Sequence, residues 1–131
     1  MFNSRLPQTK TCSDECHRKR ISRRYGRYSD KSVSSGTAGA ISEIVVSASL
    51  LKDGWDVYRA VSPSSKCDLV AIKDGIIRRV EVKTGYRYVE MGRILTPSSD
   101  HNEYDVLAAY IRLEDRIFYR DNNGTEWRDS L

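Results

Sequence analysis

Residues 66–87 read KCDLVAIKDGIIRRVEVKTGYR, and the fold turns on how this stretch bends. Two apolar runs flank Asp74-Gly75. That dipeptide between apolar segments is the strongest short-range hairpin signal, because a type I′ turn requires positive φ at both central residues. With Asp74 and Gly75 as the whole loop, Lys73 pairs with Ile76, and the numbers of every opposed pair share the same sum, 149. Asp68 then faces Glu81 across the ladder, with Cβ atoms about 5 Å apart. Lys83, two residues beyond Glu81, projects from the same side of the sheet.

Two like charges placed opposite one another destabilise a sheet, and partial burial makes the conflict worse. A divalent cation resolves it, since hard oxygen ligands at that spacing suit Mg²⁺. A lysine alongside can orient a water, take its proton or stabilise a charged transition state. A solvent-facing edge strand laced with ion pairs would also carry such residues, but "DLVAI" and "VEV" are too apolar for an edge. The triplet reads as a metal-dependent phosphodiester site.

The chain has 131 residues, enough for one domain with a modest core. No apolar run is long enough to span a bilayer, and "MFNSRLPQTK" lacks the apolar centre of a secretory signal. Three cysteines with no framework spacing fit reduced thiols and an intracellular protein. The net charge of +4 is uneven: residues 1–31 hold nine Lys and Arg against three Asp and Glu, and the remainder thirteen against fifteen. The densest run, Arg18, Lys19, Arg20, Arg23, Arg24, Arg27 and Lys31 with Tyr25 and Tyr28, is a candidate nucleic-acid-binding arm. Its bland alternative is a solvated tail.

"SVSSGTAGA" marks a boundary near Ser35, giving an arm over 1–35 and a folded domain over 36–131. "TAGAISEIVVSASLLKDG" reads as a helix capped by Thr37 and stopped at Gly54, with Ile41, Ile44, Val45, Ala48 and Leu51 as its apolar stripe. Glu43 flanks that stripe beside Ser47 and Leu50. "WDVYRAV" alternates as a first strand, and the hairpin of 66–87 follows. "TGYRYVEMGRILTPSSDHN" reads mainly as a long loop, with a short strand near Tyr86–Glu90. "EYDVLAAYIRLEDRIFYRD" forms a second hairpin turning at Leu113–Asp115, and Trp127 in the polar tail is placed to dock on the body. One helix, three strands, a loop and two more strands imply an α/β or α+β domain, a mixed sheet with the helix on one face.

At Asp68 and Glu81-Val82-Lys83 the sequence resembles the PD-(D/E)XK nuclease superfamily, whose signature is an acid on one strand, then acid-any residue-lysine on the next. The run from "GAISEIVVSASLLKDGWDVYRA" to "YDVLAAYIRLEDRIFYR" is most like small phage, intron-type and junction-resolvase-like members, and the likeness spans about residues 36–120. Cys67 stands where the pattern often has proline. The resemblance implies a restriction-endonuclease-like core and a Mg²⁺-dependent DNA endonuclease in which Mn²⁺ substitutes. It makes Asp68 and Glu81 metal ligands with the Val82 carbonyl, Lys83 the catalytic lysine, and Glu43 an accessory acid or ligand. Duplex cleavage with one site per chain implies a homodimer. The alternatives are a module of this fold that binds nucleic acid without cutting it, and an RNA-binding protein driven by the arm.

Three other features weigh less. Cys12 and Cys16, with His17, look like half of a zinc knuckle, and a Zn²⁺ site there needs ligands from elsewhere. Cys67 reads as a small core residue, and His101 as a solvated loop histidine. Of the pair Arg78-Arg79, Arg79 shares the side of Glu81, within reach of a phosphate.

Overall fold

The computed structural model describes residues 33–88, 91–101 and 103–131. Cys12, Cys16 and the seven basic residues from Arg18 to Lys31 lie outside them. Helix α1 (Ser35–Lys52) starts at Ser34, whose Oγ accepts the Thr37 N–H at 3.3 Å. Ser34 is therefore the cap, three residues ahead of the expected Thr37. Gly54, at φ 87°, carries the chain out of the helix as expected.

Six strands follow: β1 (Asp56–Arg59), β2 (Leu69–Lys73), β3 (Ile76–Tyr88), β4 (Arg93–Leu95), β5 (Val106–Ile111) and β6 (Arg116–Asp121). They form one mixed sheet in the order β1-β2-β3-β5-β6, with β4 beside the far end of β3. Neighbours are antiparallel except β3 and β5, which run parallel. Asp74 and Gly75 adopt φ of 50° and 77°, and the register runs from Lys73↔Ile76 to Leu69↔Val80 as the turn dictates. The β5–β6 hairpin turns through Arg112–Glu114 and Asp115, at φ 49°.

Strand β3 outruns its expected length because each half has a different partner. Val80–Gly85 lies beside β5, and Tyr86–Tyr88 beside β4. Asp105 seats β5 at its start. Its N–H donates to the Arg79 carbonyl at 2.9 Å, and its carboxylate accepts the Arg79 N–H at 2.8 Å and guanidinium Nη2 at 2.9 Å. The Arg79 guanidinium beside it holds the Asp105 carboxyl below the ordinary value.

Helix α1 covers the sheet face bearing Leu69, Ala71, Val80, Val82, Val106, Ala108 and Tyr119, against which Val46 and Leu50 pack. The expected stripe is off by about one residue. Ile44 and Leu51 are 57% and 58% exposed, and the buried side is Ser42, Val46 and Leu50. A polar contact decides this. The hydroxyls of Ser42 and Thr84 lie 2.6 Å apart, and both reach the Ala38 carbonyl, at 3.0 and 3.3 Å. Buried hydroxyls need such partners, and α1 carries so few charges that its apolar pattern leaves the inward face open.

The opposite face carries rows of residues in register across three strands: Glu81, Leu107, Arg120; then Lys83, Ala109, Phe118; then Gly85, Ile111, Arg116. The segment after β4 presses on this face. A Cβ at Gly85 would lie 3.0 Å from Ile111 Cδ1 and 3.1 Å from the Leu95 carbonyl oxygen. Among the described residues no helix is long and apolar enough to cross a membrane. The crowding at Gly85 predicts that Gly85→Ala lowers unfolding stability by about 1–3 kcal/mol in urea titration.

Candidate active site

The ladder between β2 and β3 changes character at Asp68. Its N–H donates to the Val80 carbonyl at 3.1 Å, although Val80 already pairs with Leu69. Two residues thus face one, which is a β-bulge. The regular register expected for Asp68 stops one residue short of it. The Val82 N–H, left without a strand partner, is taken instead by Asp68 Oδ2 at 2.7 Å. A side chain replaces a strand and ties the first acid to the backbone between Glu81 and Lys83. The Val82 carbonyl points to the same edge as its N–H, where β2 no longer runs alongside.

Glu81 is buried, 6% exposed, and its Oε1 meets Lys83 Nζ at 2.9 Å. A carboxylate so withdrawn from water requires a counter-charge, which the lysine two residues on provides. Asp68 is half-buried, and burial pushes its carboxyl above the ordinary 3.8. The Glu81 charge adds to that rise, while the Val82 N–H, Lys83 and His101 oppose it. Two acids with one lysine leave an uncompensated negative charge. Together with the Val82 carbonyl this is a hard-oxygen donor set, of the kind that suits a divalent cation.

The structure thus brings Asp68, Glu81, Val82 and Lys83 together. Glu43 is engaged elsewhere: its Oε2 accepts Arg59 Nη2 at 2.7 Å, on the helix side of the sheet. Among the described residues no three His, Cys, Asp or Glu side chains converge as a ready metal-binding group. Arg79 lies on the Glu81 side as expected but is held by Asp105. Cys67 is half-buried and precedes β2 rather than lying within it, with its thiol raised by burial.

His101 is the residue the sequence undersold. The 96–105 segment carries it near enough to Asp68 to favour the ionised carboxylate. Its Nδ1 accepts the Glu103 N–H at 3.3 Å, and its ring stands edge-on to Tyr104, with centroids 6.2 Å apart. No spacing signal marks it, because its approach to Asp68 is a contact between residues far apart in the chain.

A buried acid and a lysine on one strand thus stand beside a second acid held at a bulge. The sequence model of the PD-(D/E)XK endonuclease family matches residues 33–123. The chain belongs to that family. It is 32% identical over 92 residues to protein 5.3 of Escherichia phage T7, a match covering 63% of this chain and 78% of the phage protein. Its fold is similar to that of the bacterial homing endonuclease I-Ssp6803I, with a TM-score of 0.61 and 23% identity over 69% of this chain and 67% of the other. The expected restriction-endonuclease-like core is therefore present.

The raised Asp68 carboxyl has a direct consequence for stability. Ionising it costs the metal-free fold, so the penalty grows as pH rises from 3.8 through the raised value and then levels off. Asp68→Asn carries no such penalty. Metal-free Asp68→Asn should melt above wild type near neutral pH, with the gap closing in acid. Added Mg²⁺ should raise the melting temperature of wild type and leave the variant unmoved. Thermal unfolding followed by circular dichroism checks both.

Proposed function

We propose that the chain is a Mg²⁺-dependent DNA endonuclease whose centre is Asp68, Glu81, the Val82 carbonyl and Lys83. What carries the reading is the capture of the Val82 N–H by Asp68 beside the buried Glu81–Lys83 pair. Asp68 and Glu81 hold the ion, with Val82 as a third oxygen donor. Bound Mg²⁺ or Mn²⁺ supplies Lewis acidity toward a phosphate oxygen and toward water. Asp68 is fixed by a backbone bond, so its second oxygen stays oriented without reorganisation. Lys83, held at 2.9 Å from Glu81, keeps an ammonium where charge builds on the phosphate and can orient or deprotonate the attacking water. Glu43 is an accessory acid, tethered to Arg59 until substrate or ion draws it away. The basic arm grips DNA, and two chains acting as a homodimer cut the two strands.

Cleavage of duplex, branched and single-stranded DNA with Mg²⁺ or Mn²⁺ tests this. Asp68→Ala and Glu81→Ala should abolish cleavage while the domain still folds. Lys83→Ala should lower kcat about 10²- to 10⁴-fold with KM little changed, and Glu43→Gln should cost less than any of these. Wild-type-like turnover by either folded alanine variant of Asp68 or Glu81 removes the proposal.

A further inference from the structure

Two strands from Glu81, on the same face of the sheet, lies a groove of about 630 Å³ walled by arginine: Arg87, Arg93, Arg116, Arg120 and Arg128, with Trp127. Three of these cations are answered by carboxylates. Arg87 is bidentate to Glu114 at 2.5 and 3.0 Å, Arg116 meets Asp129 at 3.1 Å, and Arg128 meets Asp121 at 2.9 Å. Among the described residues Arg93 and Arg120 meet no carboxylate. The Arg120 guanidinium lies over the Trp127 ring at 4.7 Å, and its Nε is buried with no hydrogen-bond partner. Arg116 and Arg87 stand over Phe118 at 4.8 and 5.4 Å. Stacking on Trp127 holds the Arg120 guanidinium flat without engaging it with a carboxylate, the state suited to a planar, bidentate acceptor.

The sheet register places this groove relative to the acids. Arg120 shares a cross-strand row with Glu81 through Leu107, so the two backbones stand about 10 Å apart at ordinary strand spacing. Phosphates advance about 3.4 Å per nucleotide along one strand of a duplex. A duplex with one phosphate at Lys83 and its axis along that row reaches the groove within about three nucleotides.

We infer that the Arg93–Arg120–Trp127 groove is a phosphate-binding subsite that holds the sugar–phosphate backbone of the substrate a few nucleotides from the scissile bond. The inference rests on the nuclease reading for what lies at the acids, and on the groove's own chemistry for the occupant. Five arginines against three paired acids fit a polyanion. A second copy of a chain with net charge +4 would bring like charge to it.

The test is equilibrium binding of the full chain to a fluorescein-labelled DNA duplex by anisotropy, in EDTA so that nothing is cut, between about 50 and 200 mM salt. Arg93→Gln, an exposed change that leaves packing alone, and Arg120→Gln should each reduce the slope of log K against log salt by about 0.9, and the double variant by about twice that. Lys52→Gln on α1, the same loss of charge behind the helix, should leave the slope unchanged. Slopes unchanged in the arginine variants while wild type binds overturn the subsite, and so does a fall in sedimenting mass on substitution, which makes the groove an interface between copies. Cleavage is read separately. A chain that cuts with Mg²⁺ but shows unchanged slopes keeps the nuclease and loses the groove. One that shows the slope loss but never cuts keeps the groove and loses the nuclease.

Discussion

One hydrogen bond organises the centre: the Val82 amide donated to the Asp68 carboxylate at 2.7 Å. Strand β2 ends in a bulge there, and without that carboxylate a part-buried amide would go unpaired, at a cost of about 1–3 kcal/mol. The bond satisfies the amide and orders the acid in one stroke. It also aims the acid at the two residues flanking Val82, one a carboxylate and the other a lysine. Asp68 is consequently held where its charge is least welcome, part-buried and near Glu81. A sheet shaped for stability alone would place a valine there, and this local cost is what supports the proposed metal site.

How much of this the sequence discloses depends on the range of the interaction involved. The hairpin register is local: Asp74-Gly75 fixes it, and with period-2 alternation it places Glu81 and Lys83 on one face before any tertiary contact is known. The bulge is not local, since Cys67-Asp68-Leu69 contains no glycine to announce it. The length of β3 depends on β5 and β4, which pair with it from beyond residue 92. The inward face of α1 is chosen by Thr84, forty-two residues from Ser42, and so a nearly uncharged helix gives the wrong stripe when read alone. Glu43 sits on the flank its spacing predicts, but Arg59 comes from β1, and spacing along the helix says nothing of it. The alternation of Arg116, Phe118 and Arg120 is plain in the sequence. That this row shares a face with Glu81 follows only once β3 and β5 are known to run parallel.

Charge along that face is graded. Ion pairs neutralise most of its surroundings: Arg79 with Asp105, Arg87 with Glu114, Arg116 with Asp129. Among the described residues, what is left there without an opposite partner is one carboxylate of the Asp68, Glu81 and Lys83 group and two arginines in the neighbouring groove. On the proposed reading a phosphate backbone is attracted at the groove and repelled at the acids until a cation is bound. Substrate and ion are then coupled in both directions, because each removes the repulsion that hinders the other. On this reading the arginines hold the polymer before the centre is charged, and the acids discriminate by admitting a phosphate together with its metal. The surface needs both signs for that, and the parallel pairing of β3 with β5 is what sets them side by side.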